Sequence, residues 1–291
     1  MKLASYIKGT SQSFGIITEA GIVDLSKRTA YADLKTLISE GLDEAGKYQN
    51  DNSDFALGEV ELLPVIPQPG AIWCAGMNTH SHYIEAKDAM GLSELPKVPM
   101  FFLRANNTLV ASGKSIEKPK LEPAFDYEGE VALIIGKRCR NVSVETALDH
   151  VAGYTCFNDG SARKYQMMSN QVTTGKNGYR SGGFGPWMVT ADSVDINALE
   201  LTTRVNGALR QRMKIDDLVF SFAELISHIS EVTWLEPGDV IVTGAAAGVG
   251  ALMKPPCFLQ DGDVVEVEVS GIGVLNNSVS EQVLANTSAL T

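Results

Sequence analysis

The sequence predicts an α+β protein in which β-structure predominates, with a small β-rich N-terminal unit ahead of a larger one. Three observations carry this. Short β-branched-rich apolar runs closed by glycine recur, as at Val131-Ala132-Leu133-Ile134-Ile135-Gly136 and Val240-Ile241-Val242-Thr243-Gly244, and read as buried strands. Val265, Val267 and Val269 alternate with Glu266 and Glu268, the pattern of a half-exposed strand. Helical spacing of apolar residues occurs in only a few short stretches.

In chain order, Ser13 to Thr18 and Ile22 to Leu25 flank a Glu19-Ala20-Gly21 turn and predict a hairpin. Tyr31, Leu34, Leu37 and Ile38 fall at helical spacing. The polar segment Leu42 to Asp54 reads as a surface loop. Pro64, Pro67 and Pro69 stiffen a connector, and the boundary is placed there: residues 1–68 as a small β-rich domain, 69–291 as the larger one. Ala71 to Gly76, Met100 to Leu103 and Val151 to Phe157 read as strands, and Ser143 to His150 as a short capped helix. Asn170 to Pro186 is glycine-rich and reads as a long mobile connection. Ser221-Phe222-Ala223-Glu224 is a capping box opening a helix with Phe222, Leu225, Ile226 and Ile229 on one face.

Composition narrows the function. A chain of 291 residues that is 44% hydrophobic and 20% charged is ordinary for a globular protein with a sizeable core. Its net charge of −11 argues against a nucleic-acid partner, which needs a positive stripe. No apolar run approaches the roughly 20 residues that span a bilayer, and Met1 to Ser5 lack the apolar region of a signal peptide. The cysteines at 74, 139, 156 and 257 are too dispersed for a disulfide framework and suit a reducing cytoplasm; Cys74 and Cys156 read as core residues.

The chemistry centres on Phe125-Asp126-Tyr127-Glu128-Gly129-Glu130, which leads directly into a buried strand. Strand parity puts Glu128 and Glu130 on one face, with Asp126 just before them. Adjacent carboxylates at the mouth of an apolar strand repel each other and lose hydration unless a cation neutralises them. A hard divalent metal satisfies that need; a solvated sheet edge is the alternative. Asp159 ends another strand, where it serves either as a functional carboxylate or as a helix cap. Lys176 offers a cation to the cluster or a solvated surface charge. His80 and His82 lie together, and on a helix His82 and Glu85 share a face, so the carboxylate can orient the imidazole as a general base. The alternatives are a pair of surface histidines, or a zinc site, for which His150 and His228 lack suitable spacing. Gly91-Leu92-Ser93-Glu94-Leu95-Pro96 reads as part of a mobile lid.

These pieces together resemble the fumarylacetoacetate hydrolase-like proteins, the acylpyruvase family, over roughly residues 70 to 280. The motifs are Gly76-Met77-Asn78 with His82 and Glu85; Asp126-Tyr127-Glu128-Gly129-Glu130; Val151-Ala152-Gly153-Tyr154; Asn158-Asp159-x-Ser161-Ala162-Arg163; Gly175-Lys176; Gly185-Pro186-Trp187; Arg204-Val205-Asn206-Gly207; and Leu235-Glu236-Pro237-Gly238-Asp239-Val240-Ile241-x-Thr243-Gly244. The resemblance implies a mixed β-roll, a homodimer, and one Mg²⁺ or Mn²⁺ per subunit held by Glu128, Glu130 and Asp159, with Asp126 outside the ligand set. It implies catalytic roles for His82, Glu85 and Lys176, with the His82–Glu85 dyad on a lid that orders over substrate. Arg163, Gln166, Thr243 and Gly244 are the implied contacts to a small 2-oxo acid substrate.

The implied reaction is hydrolytic C–C cleavage of a 1,3-diketo acid of acylpyruvate or fumarylpyruvate type, His82 activating the water. Decarboxylation or isomerisation of a 2-oxo-dicarboxylate, of oxaloacetate or hydroxymuconate type, is the alternative; a non-catalytic metal-binding member is another, against which retention of His82 and Glu85 argues. Ala245-Ala246 where Thr-Pro is frequent, Lys164 for an acidic residue, Gly178-Tyr179 for Phe-Asp and Thr79 for Tyr depart from the family pattern. These departures are expected to cluster around the pocket, giving a substrate that lacks the usual terminal carboxylate contact or carries a bulkier acyl group.

Overall fold

The computed structural model describes residues 1–91 and 93–283. Leu92, within the predicted lid, and residues 284–291 of the larger unit lie outside the described residues. The elements that position the site are strands β1 Lys2–Lys8, β2 Ser11–Thr18, β3 Gly21–Asp24, β4 Ile72–Gly76, β5 Met100–Leu103, β6 Gly129–Ile135, β7 Val151–Asp159, β8 Gly182–Thr190, β9 Glu200–Val205, β10 Ala208–Lys214, β11 Val240–Val242, β12 Val264–Val269 and β13 Gly273–Glu281. The principal helices are α1 Leu34–Glu40, α2 His80–Met90 and α3 Phe222–Val232.

An 11-stranded sheet runs in the order β3-β2-β1-β8-β7-β6-β11-β4-β5, with two short strands attached at its flanks. A 5-stranded sheet, β10-β9-β12-β13 plus Ile116–Lys118, packs against it. The whole is a strand-rich α+β fold.

Strand β6 is the axis of this packing because both of its faces are buried. Val131, Leu133 and Ile135 meet Val205, Val265, Val267 and Leu275 of the second sheet and Leu225, Ile226 and Ile229 of α3. Ala132 and Ile134 join the other core with Leu3, Phe14, Leu34 and Leu37. Two-sided burial is why its sequence is continuously apolar rather than alternating. Helix α3 forms with the predicted capping box: the Glu224 amide donates to Ser221 Oγ at 3.3 Å, and the Ser221 amide donates to Glu224 Oε2 at 2.7 Å.

The predicted hairpin is the antiparallel β2–β3 pair. Strand β1 pairs β8 in the register Leu3↔Met188, so the N-terminal strands extend the large sheet. The proline connector packs Val65 and Ile66 into the same core as β6.

Two expected loops are more ordered than composition indicates. Leu42–Ala45 and Gly46–Tyr48 form short helical turns within the segment read as a surface loop. In Asn170–Pro186, Thr173–Lys176 is a helical turn and Gly182–Pro186 is buried strand. The glycines serve close packing there: a Cβ on Gly183 would meet Asn277 Oδ1 at 2.4 Å. At Gly183 the absence of a side chain is the requirement, whereas Gly185, at a φ of +149°, needs the freedom of the backbone.

Candidate active site

The strand carrying the carboxylates is broken. Phe125–Asp126 pairs with Ser161–Ala162, Tyr127 and Glu128 have no strand pairing, and β6 starts at Gly129. At the break the Glu128 amide donates to Asn158 Oδ1 at 3.1 Å, and the Asp159 amide donates to the Glu128 carbonyl at 2.8 Å. Antiparallel pairing sets Gly129 opposite Asn158, bringing the Asp159 end of β7 beside the two glutamates. Gly129 has a steric purpose too, since a Cβ there would meet Thr203 Oγ1 of the second sheet at 2.0 Å. Carboxylate oxygens of Glu128, Glu130 and Asp159 lie within 4.8 Å of one another, and all three residues are buried.

Cations surround this group. Lys176 Nζ is 2.5 Å from Glu128 Oε2 and 2.7 Å from Asp159 Oδ2. Arg163 Nη1 is 2.7 Å from Glu128 Oε1, while its Nη2 is 2.8 Å from Asp126 Oδ2. Arg104 pairs with Asp159 Oδ1. Burial disfavours the charged form of Glu128, but Lys176 and Arg163 outweigh it and hold its carboxyl below the ordinary glutamate value. Glu130 lacks such a partner: burial, then the charges of Asp159 and Glu128, push its pKa well up. Burial also opposes the Lys176 ammonium, yet Asp159 and Glu128 raise its pKa above the ordinary lysine value. A buried, oxygen-only set of carboxylates with one member raised by its neighbours' charge suits a hard divalent cation.

His82 and Glu85 lie on α2, whose start is capped by Thr79 Oγ1 accepting from the His82 amide at 3.3 Å. His82 Nδ1 is 3.2 Å from Glu85 Oε2, and Glu85 Oε1 accepts from the Gly248 amide at 2.9 Å. Ser81 Oγ donates to Asp217 at 2.5 Å, and Thr79 Oγ1 donates to the Ala245 carbonyl at 2.7 Å. The dyad helix is therefore fastened to the body at its N-terminal end.

One cavity of about 290 Å³ gathers His82, Glu128, Glu130, Arg163, Gln166 and Lys176. Apolar side chains, among them Met77, Met100, Phe102, Val172, Val249 and Leu252, line the remainder. Glu85 and Asp159 stand behind its wall, each touching a residue that lines it. Thr243 and Gly244 do not line it: the Thr243 hydroxyl donates to the Val131 carbonyl at 2.9 Å, and the Gly244 amide donates to Glu130 Oε2. Both reinforce the strand that carries Glu130 instead of lining the cavity. Of the departures expected around the pocket, Ala245 lines the cavity. Lys164 and Tyr179 are exposed away from it, and Thr79 is consumed as the helix cap.

The fumarylacetoacetate (FAA) hydrolase C-terminal family matches residues 71–280. The chain belongs to this family. Oxaloacetate tautomerase YisK of Bacillus subtilis is 36% identical over 287 residues, covering 91% of this chain and 94% of that protein. Fumarylacetoacetate hydrolase from Exiguobacterium antarcticum superposes with a TM-score of 0.81 at 33% identity, covering 97% of this chain and 100% of the other. Maleylpyruvate hydrolase from Sphingobium sp. SYK-6, in complex with manganese(II) ion and pyruvate, gives a TM-score of 0.80 at 28% identity, with coverage of 97% and 100%. Family members thus include both hydrolases and tautomerases, and one is described as a manganese complex.

One residue of this family site, Arg104, escapes sequence reasoning. Arg104 follows the apolar run of β5, so a charge closing an apolar strand, as at Asp159, was the available signal. Asp126 was placed near the ligands by parity, but its work is different: it accepts from Arg163 Nε at 2.9 Å and from the amides of Gly250 and Ala251 at 2.8 and 2.9 Å. It thereby holds Arg163 against Glu128.

Proposed function

We propose that this protein is a divalent-metal-dependent enzyme acting on a 2-oxo-dicarboxylate of the oxaloacetate type, transferring a proton between carbon and oxygen in a keto–enol tautomerisation. The observation that carries the reading is that His82, paired with Glu85, lines the same cavity as Glu128 and Glu130 of an oxygen-only acidic centre. The near full-length similarity to a protein named oxaloacetate tautomerase supports it.

With Nδ1–H donated to Glu85, His82 keeps Nε2 as its basic nitrogen. That nitrogen removes a proton from the carbon next to the 2-oxo group and returns it to oxygen; the reverse transfer restores the ketone. Glu85 stabilises the imidazolium that forms between the two transfers. Arg163 and Lys176 supply positive charge on the cavity wall for the substrate carboxylates, and Gln166, bonded to Arg163 Nη1 through Oε1 at 3.0 Å, keeps that guanidinium in place. Glu128, Glu130 and Asp159 would hold a divalent cation, Mg²⁺ or Mn²⁺, which would supply Lewis acidity to the 2-oxo end of the substrate.

Hydrolytic C–C cleavage of an acylpyruvate or fumarylpyruvate is the second reading, favoured by the apolar remainder of the cavity, which suits an acyl group. There His82 Nε2 takes its proton from water. Homodimeric assembly, drawn from the family resemblance, and a cytoplasmic location, supported by four free cysteines, complete the proposal. None of the described helices is long and apolar enough to cross a membrane.

The test is a substrate panel on chelator-stripped protein reloaded with Mg²⁺ or Mn²⁺. Enol absorbance of oxaloacetate is followed beside pyruvate release from oxaloacetate, acylpyruvates and fumarylpyruvate. Metal-dependent enol–ketone exchange without pyruvate release is expected. Pyruvate release from an acylpyruvate faster than that exchange would replace this reading by the hydrolase.

A further inference from the structure

We propose that Arg104 is the positioning residue of the acidic centre: from outside the cavity it fixes Asp159 by Oδ1 and leaves Oδ2 as the oxygen turned to the cation. This rests on the metal reading above. The side chains of Arg104 and Asp159 are both 0% exposed, so the pair has no contact with solvent. One guanidinium nitrogen, Nη1, binds Asp159 Oδ1 and also donates to the Gly160 carbonyl at 3.2 Å. Nη2 donates to Ser181 Oγ at 2.7 Å, and Nε donates to Thr108 Oγ1 at 3.3 Å. Ser181 passes the chain of bonds on, donating to the Gly178 carbonyl at 2.7 Å. Every nitrogen of the guanidinium is thus anchored, on three separate segments.

Space has been made for this group. A Cβ on Gly182 would lie 2.8 Å from Arg104 Nη2, so the glycine opening β8 admits the guanidinium beneath Asp159. The opposite oxygen of Asp159 points to Lys176 Nζ, which lines the cavity. The carboxylate is consequently held in one rotamer, with Oδ1 on Arg104 and Oδ2 on Lys176, a cation that lines the cavity. Strand parity links the device to the cavity wall: Met100, Phe102 and Arg104 have the same parity, and the first two line the cavity.

A positive charge beside a ligand also repels a divalent cation, so removing the charge would mix two opposing effects. The test therefore keeps the charge and alters the geometry. A lysine cannot reproduce a planar fork with anchors on all three nitrogens, which makes Arg104→Lys non-conservative here. Ser181→Ala removes one anchor and leaves the guanidinium and Asp159 untouched.

Mn²⁺ is titrated into the parent, R104K and S181A, with free Mn²⁺ read by electron paramagnetic resonance and folding checked by circular dichroism. Groups that orient metal ligands are typically worth about 10–100-fold in affinity, and R104K is expected to lose that much. S181A is expected to lose several-fold. A purely structural role would lower the melting temperature while leaving the affinity of folded protein at the parent value. Folded R104K with parent affinity overturns the assignment; if R104K does not fold, parent affinity in S181A overturns it. A parent chain that binds no Mn²⁺ overturns the metal reading itself, and this assignment with it.

Discussion

Replacing Lys176 by methionine removes the ammonium and keeps most of the side-chain volume. Its Nζ sits 2.5 Å from Glu128 and 2.7 Å from Asp159, and its side chain is 4% exposed. Breaking a buried pair by deleting one partner costs about 3–5 kcal/mol, because the remaining charge stays desolvated. With an unfolding entropy of about 2.1 cal/mol/K per residue, a chain of this length changes by roughly 0.6 kcal/mol per degree, so that cost is about 5–8 °C of melting temperature. Calorimetry in chelator should show this loss. In saturating Mn²⁺ the gap between variant and parent should narrow, because the cation takes over neutralisation of Glu128 and Asp159 and no longer has to displace the ammonium. A variant that melts with the parent in chelator, and gains no more than the parent from Mn²⁺, would refute this account of how the acidic group is neutralised.

Other outcomes follow from the same geometry. Glu85→Gln keeps a side chain beside His82 but removes the charge that stabilises its imidazolium, and should lower kcat by about 10²-fold or more with folding unchanged; parent-level turnover would refute the dyad. Gly244→Ala places a Cβ 2.8 Å from the Asn78 Cβ at a φ of +110°, and urea denaturation should show a loss of more than about 1 kcal/mol. Leu133→Ala, at 0% exposure between the sheets, should cost about 2–5 kcal/mol by the same measurement. Burial raises the Cys156 thiol to about 12, so its contribution to stability is present below the ordinary thiol range and is lost as pH rises toward that value. Cys156→Ala should therefore make the alkaline fall in unfolding free energy shallower.

The strands were legible where burial is continuous. The β6 run, the β2–β3 hairpin and the capped helix α3 are each written in local pattern, because two-sided burial, a tight turn and a cap impose their residues over a few positions. The 170–186 segment was misread for the opposite reason. Gly182 and Gly183 answer to Arg104 and Asn277, which are distant in sequence, and look like loop glycines when viewed alone. Parity paired Glu128 with Glu130, but not the break at Tyr127–Glu128 that turns Asp126 toward Arg163. Thr243 follows the end of β11, as a functional residue can, yet its hydroxyl is spent on the neighbouring strand.

The residues by themselves determined the strand-rich class, the resemblance to the fumarylacetoacetate hydrolase family and the side chains capable of the chemistry, because composition, periodicity and motif order are properties of the chain. Only the tertiary structure decided which charges meet. Lys176, Arg163 and Arg104 reach the acidic group across 17 to 55 residues of sequence, and whether a buried carboxylate is neutralised, protonated or free to hold a cation depends on distances of a few ångströms that local sequence does not specify.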